Sequence, residues 1–269
     1  MKRSLQIARI AGKMIEIAKR LLEKLIFSPS FVSNLYRTLG IKNCYQCPIC
    51  NYYGRFKSVM PETGKRKNAR CVRCGSLERH RLQYLVFNEI IKNMDTQKMS
   101  MLHFAPETFF KKMFKKKFRF YVTADLYSRN VDRKEDLTSM SFENNSFDFF
   151  YASHVLEHIE NDLKALSEIR RVLKPNGIAI IPVPIMGDKT IEYHKQNPHE
   201  CNHVRCPGKD YYDSYKNYFS KIKLYYSGDF DEKNQLYIYE DRSKWPNTMP
   251  LRPSTPGIRH LDIVPVCYK

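Results

Sequence analysis

The chain has 269 residues, 42% of them hydrophobic and 13% aromatic, with 18 Tyr and 16 Phe. That length and composition bury a core, which excludes a disordered chain. A formal net charge of +18 draws the protein to phosphate groups, but charge alone does not choose among nucleic acid, anionic lipid and a phosphorylated small molecule.

Residues 1 to 40 are read as a basic amphipathic helical segment. From Leu5 to Ile26 apolar residues such as Ile7, Ile10, Met14, Leu21 and Leu25 recur at helical spacing, with Arg9, Lys13, Lys19, Arg20 and Lys24 between them. Such a helix lies on an anionic membrane surface or packs its stripe on the rest of the protein or a second subunit. No run is long and apolar enough to span a bilayer, and no small-residue cleavage site follows a compact apolar block. The expectation is a cytoplasmic protein, with peripheral contact to the inner membrane face through residues 1 to 30.

Residues 41 to 80 are read as a zinc ribbon. Cys47-Pro48-Ile49-Cys50 and Cys71-Val72-Arg73-Cys74 are two Cys-x-x-Cys pairs separated by twenty residues. That spacing suits a closed tetrahedral site, in which four thiolates leave no position for a reacting water, so the ion is structural. Cys44-Tyr45-Gln46-Cys47 repeats the spacing, so Cys44 competes as a ligand; Pro48, which presets a turn, favours Cys47 and Cys50. Further on, His199, Cys201, His203 and Cys206 are all ligand types, in a spacing that matches no standard structural site.

Residues 81 to 269 are read as the main domain, entered by a helix from Ser76 to Met94. Apolar strands are expected at Met99–Ala105, Tyr121–Leu126, Phe147–Ser153 and Ile178–Val183. A helix over Asp162–Leu173 is stopped by Pro175 and Gly177, and two late strands are joined by a long insertion. Strands alternating with helices predict an α/β fold with a parallel sheet.

Asp136-Leu137, then Ser146-Phe147-Asp148 through Ser153-His154-Val155-Leu156-Glu157-His158, then Val172-Leu173-Lys174-Pro175-Asn176-Gly177 resemble the core of the class I methyltransferases. The stretches Arg70 to Arg81 and Leu102-His103-Phe104-Ala105-Pro106-Glu107 are similar to a bacterial group of these enzymes that carries a zinc ribbon. The likeness covers about residues 44 to 220 and returns at Val264 to Lys269. It implies a Rossmann-like sheet with helices on both faces and S-adenosylmethionine as cofactor, beside structural zinc.

Carried onto this chain, the resemblance assigns the cofactor's methionine end to the segment His103, Phe104, Ala105, Pro106 and Glu107. This segment replaces the family's Gly-rich loop. Asp125, followed by Leu126, is assigned to the ribose hydroxyls, and Asp136 with Leu137 to the adenine. Ser153 and His154 face the transferred methyl, with His154 as the candidate catalytic base. A small-molecule or glycan acceptor is favoured over RNA, whose backbone would be held by Lys111 to Lys117, Lys65-Arg66-Lys67 and Arg79 to Arg81. A non-catalytic scaffold that keeps the fold is the rival from another class.

Overall fold

The computed structural model describes residues 29–39, 42–60, 65–185, 187–241 and 259–269. The basic helix read over residues 4 to 27, and with it nearly all of the segment expected at a membrane, lies outside the described residues, as does the Pro-rich stretch from Trp245 to Pro256. A helix, α1 (Pro29–Thr38), precedes the cysteine-rich region. Among the described residues no helix is long and apolar enough to cross a membrane.

Four short strands follow: β1 (Tyr45–Gln46), β2 (Tyr53–Gly54), β3 (Lys57–Val59) and β4 (Lys65–Arg70). The helix α2 (Glu78–Ile91) leads to β5 (Ser100–Phe104), α3 (Thr108–Lys117), β6 (Phe120–Asp125), β7 (Arg133–Lys134) and β8 (Phe147–Ala152). Then come α4 (Asp162–Val172), β9 (Leu173–Ile180) and the hairpin of β10 (Ile191–Asn197) with β11 (His203–Cys206). The chain ends with β12 (Lys221–Tyr226), β13 (Ile238–Asp241), β14 (Arg259–His260) and β15 (Ile263–Tyr268).

Seven strands form the main sheet, in the order β12-β15-β9-β8-β5-β6-β7. The five from β9 to β7 run parallel, and β15 lies antiparallel to both of its neighbours. Period-two alternation sends alternate side chains into two separate cores. Leu102, Phe104, Phe150, Ala152 and Ala179 face α4 and the tyrosines Tyr211, Tyr212 and Tyr215. Met101, Phe149, Tyr151, Ile178 and Ile180 face Phe87 of α2 and Phe110 and Phe114 of α3. Among the described residues the expected strands and helices of the main domain are present, with ends shifted by a few residues; β9 begins at Leu173, since the Pro175–Gly177 turn is absorbed into its start, with Asn176 at φ 64°.

Two features depart from the expected division of the chain. The boundary expected at residue 80 falls inside α2, whose Leu82, Val86 and Phe87 belong to the main core. The insertion between β12 and β15 also returns to the ribbon: β13 pairs with β4, giving a four-stranded sheet β14-β13-β4-β3.

Chain order runs outward from β5 to β6 and β7, then resumes on the other side at β8 and β9. The strand order therefore reverses between β5 and β8, and ligands of open parallel sheets bind beyond the carboxyl ends of the strands at such a point.

Candidate active site and metal centre

The four expected cysteines converge. Their sulfurs all lie within 4.8 Å of one another, with Cys47 Sγ 3.6 Å from Cys74 Sγ and Cys50 Sγ 3.6 Å from Cys71 Sγ. A tetrahedron with metal–sulfur bonds of ~2.3 Å has edges of roughly 3.8 Å, so the set fits a zinc ion. Both knuckles are built alike. Asn51 N donates to Cys47 O and Gly75 N to Cys71 O, each at 2.9 Å, and Asn51 (φ 56°) and Gly75 (φ 75°) take the left-handed conformation just after the second cysteine. Cys44 stands outside the cluster, its thiol 3.9 Å from Lys42 O.

Helix α2 anchors this ribbon. Arg66 Nη2 donates to Glu78 Oε2 at 2.6 Å, a pair whose carboxylate is wholly buried. Arg81, also wholly buried, points its guanidinium at the carbonyls of Ala69, Ser76, Asn234 and Gln235 and lies over the Phe56 ring. Of the basic residues named for RNA, Arg66, Arg79 and Arg81 have internal partners, whereas Lys65 and Lys67 are exposed. Lys112, Lys116 and Lys117, with Tyr84 and Phe109, line a groove of about 630 Å³.

At the end of β5 the chain turns at Ala105, which adopts φ 47° and donates its N–H to Ala124 O at 2.8 Å. Alanine here takes the backbone conformation that a glycine would reach without strain. The turn brings in Glu107, whose Oε1 lies 3.1 Å from Arg79 Nη2 and 2.9 Å from His80 Nε2, while Oε2 is buried without a hydrogen-bond partner among the described residues. Burial opposes ionisation of Glu107, but His80 and Arg79 outweigh it and hold the carboxyl down at about 2. Leu77 N donates to His80 Nδ1, which fixes the proton on Nε2, and burial lowers the imidazole's affinity for a second proton.

The remaining expected cofactor residues divide by position. Asp125 ends β6, and its Oδ1 accepts from Tyr127 N and Ser128 N at 2.7 and 2.6 Å, shaping the loop beyond the strand. Nothing among the described residues engages Oδ2. Leu126 is exposed beside it. Asp136 is exposed and spends Oδ1 on the backbone and hydroxyl of Thr138, while Leu137 is buried in the core with Phe104. The His103 side chain is enclosed among Phe114, Tyr121 and Tyr151, with Nδ1 2.7 Å from Tyr121 Oη; burial pushes its imidazole down to about 3. His103 and Phe104 therefore serve the strand end through backbone, and Pro106 is part of the turn.

Beyond β8, Ser153 Oγ accepts from Gln83 Nε2 at 3.0 Å, and Tyr151 donates its hydroxyl to Gln83 Oε1. His154 has φ 56°, another strained position, and its N–H donates to Pro182 O at 2.9 Å. Its Nδ1 is 3.4 Å from Glu157 Oε1, and Nε2 is buried without a hydrogen-bond partner among the described residues. Glu157 is wholly buried. Burial alone would push its carboxyl up, but His154, His158 and His203 outweigh that and hold it below the usual range.

Arg205 pins β11 over this turn by donating to Leu156 O, Ile159 O and Glu160 O and pairing with Glu192. The set His199, Cys201, His203 and Cys206 does not form one ion site among the described residues. His203 stands instead with Glu157 and His158.

Arg79, His80 and Gln83, none of them among the expected cofactor residues, are the partners of the strand ends. Arg79 and His80 lie in the stretch that carries the resemblance, but nothing in the sequence pairs them, or Gln83, with the strand ends.

Comparison with known proteins adds a family description. Residues 100–181, from the start of β5 to just past β9, match the family model "Methyltransferase domain". A 62-residue stretch is 44% identical to the sterol 4-C-methyltransferase strm-1 of Caenorhabditis elegans; it covers 23% of this chain and only 18% of that relative's length. The phosphoethanolamine N-methyltransferase 2 of Haemonchus contortus, solved with S-adenosyl-L-methionine, is 19% identical with a TM-score of 0.41, over 54% of this chain and 38% of that one. The MccD protein is 18% identical with a TM-score of 0.40, over 54% and 73% of the two chains.

Proposed function

We propose that the protein is an S-adenosylmethionine-dependent methyltransferase acting on a small-molecule or glycan acceptor, with a structural zinc ion in the four-cysteine ribbon. One observation carries this reading. Glu107 Oε2 and His154 Nε2, two buried polar atoms without hydrogen-bond partners among the described residues, lie on the segments that leave β5 and β8, the two strands between which the sheet order reverses. Buried groups of this kind cost stability unless something satisfies them, and a bound ligand at a switch point does so.

When bound, S-adenosylmethionine supplies a methyl group on a sulfonium whose leaving thioether is neutral, so alignment matters more than acid–base help. On this reading Glu107 Oε2 receives the cofactor's ammonium group, and Asp125 Oδ2 accepts from the ribose hydroxyls while Oδ1 keeps the loop in place. Ala105 gives the close backbone approach that a glycine gives elsewhere. Glu157 beside Nδ1 keeps a proton there, leaving the Nε2 lone pair of His154 to take the proton of an acceptor hydroxyl or amine.

Calorimetry with S-adenosylmethionine and S-adenosylhomocysteine on the zinc-loaded full chain tests the assignment. Both ligands are expected to bind wild type, and D125N to bind at least about tenfold more weakly, the loss of one charge-assisted hydrogen bond. Absence of binding by either ligand leaves a non-catalytic scaffold as the explanation.

A further inference from the structure

We propose a second metal site, for a divalent first-row ion such as zinc or iron(II), formed by Glu157, His158 and His203. One carboxylate oxygen and one ring nitrogen from each histidine lie within 4.8 Å of one another. Nitrogen ligands with one carboxylate suit these ions, and three protein ligands leave positions open for water or another oxygen donor.

Two further observations point to a missing partner. Glu157 is wholly buried, yet among the described residues neither of its oxygens has a hydrogen-bond partner, and Nδ1 of the buried His203 lacks one as well. A buried carboxylate stripped of water, with only the long 3.4 Å approach of His154 Nδ1 to one oxygen, is costly, and a bound cation satisfies it. The site is also held in shape. Glu157 and His158 are neighbours in a single turn, whose carbonyls at Leu156, Ile159 and Glu160 receive the Arg205 guanidinium two residues beyond His203. The two imidazoles meet edge to face with centroids 4.7 Å apart.

Glu157 Oε1 is also 3.4 Å from His154 Nδ1. A single carboxylate thus stands between the ion and the imidazole of the methyl-transfer site. The metal site itself does not depend on that activity.

The test is zinc stoichiometry of the full chain, stripped of metal and titrated, with thermal melting to check folding. Wild type is expected to take up two equivalents and H158N one. His158 is exposed, so its replacement spares the core. E157Q, which keeps the shape of the buried side chain, is expected to weaken the second equivalent by more than the roughly 10- to 100-fold typical of an outer-shell partner. With cobalt(II), the first equivalent gives thiolate charge-transfer absorption from the ribbon, and the second adds a nitrogen–oxygen spectrum without it. Saturation of wild type at one equivalent overturns the proposal, as does retention of two by folded H158N and E157Q. Because neither readout uses methyl transfer, failure here leaves the cofactor-binding experiment untouched.

Discussion

His80 Nε2 donates to Glu107 Oε1 at 2.9 Å, joining the helix that leaves the ribbon to the turn that follows β5. Arg79 reaches the same oxygen from the same helix. The ribbon's exit helix is therefore tied to the turn at the end of β5.

This link predicts a pH dependence. Glu107 is held at about 2 against an ordinary value of 4.5, so the folded state binds a proton less readily than the unfolded chain. Its contribution, up to about 3 kcal/mol, is fully present above about pH 4.5 and lost as the pH falls toward 2. In urea melts from pH 7 to pH 3, E107Q is expected to begin less stable and to lose less on acidification than wild type. Parallel curves for the two proteins would show that the carboxylate is not held by these partners.

The ribbon cysteines predict a contrast between neighbours. C71S is expected to release the ribbon metal and to lower the melting temperature steeply, since metal binding and folding are coupled in such sites. C44S should change neither, because its thiol lies outside the cluster. Metal analysis and melting of both variants check this; equal loss from the two would restore Cys44 as a ligand.

Arg81 makes a stronger claim than its surface-type residue suggests. Four carbonyls from three parts of the chain accept from one buried guanidinium, and removing it takes that donor from each, with Ser76 O keeping Cys71 N. R81A is expected to cost about 3 to 5 kcal/mol in chemical denaturation. R81K should recover only part of this, because an ammonium cannot reproduce the planar fork.

Ala105 tests the glycine-free turn. At φ 47° an alanine is strained by roughly 1 kcal/mol, so A105G should hold or raise the melting temperature, whereas the β-branched A105V should lower it. A clear loss of stability in A105G would mean that the alanine methyl has a packing role larger than the strain.

His154 is the residue on which the proposed chemistry turns. H154N is expected to lower methyl-transfer turnover about 10²- to 10⁴-fold while cofactor affinity stays within a few-fold of wild type. Single-turnover label transfer and calorimetry together separate the two effects. Unchanged turnover would leave alignment alone as the source of rate.

Much of the architecture is legible in the linear pattern. Runs such as Phe147-Asp148-Phe149-Phe150-Tyr151-Ala152 are apolar on both faces, as strands between two cores must be, and two Cys-x-x-Cys pairs announce their own convergence. The partners at the strand ends were hidden because they arise between distant segments. Gln83 meets Ser153, and His203 meets Glu157 and His158, through packing that no local spacing encodes. Ala105 was read as a departure from a glycine motif; that it adopts the glycine conformation depends on the Ala124 carbonyl waiting for its N–H on the neighbouring strand.

The pairing of β13 with β4 bears on assembly. Synthesis delivers the cysteine knuckles early, but the strand that completes their sheet emerges only after most of the parallel sheet has left the ribosome. Contacts of such large sequence separation close late and slowly, so the knuckles wait, half-built, for a segment nearly at the carboxyl terminus. Deleting β13 would therefore damage the ribbon far upstream of it, and the small module and the larger one should melt in a single transition.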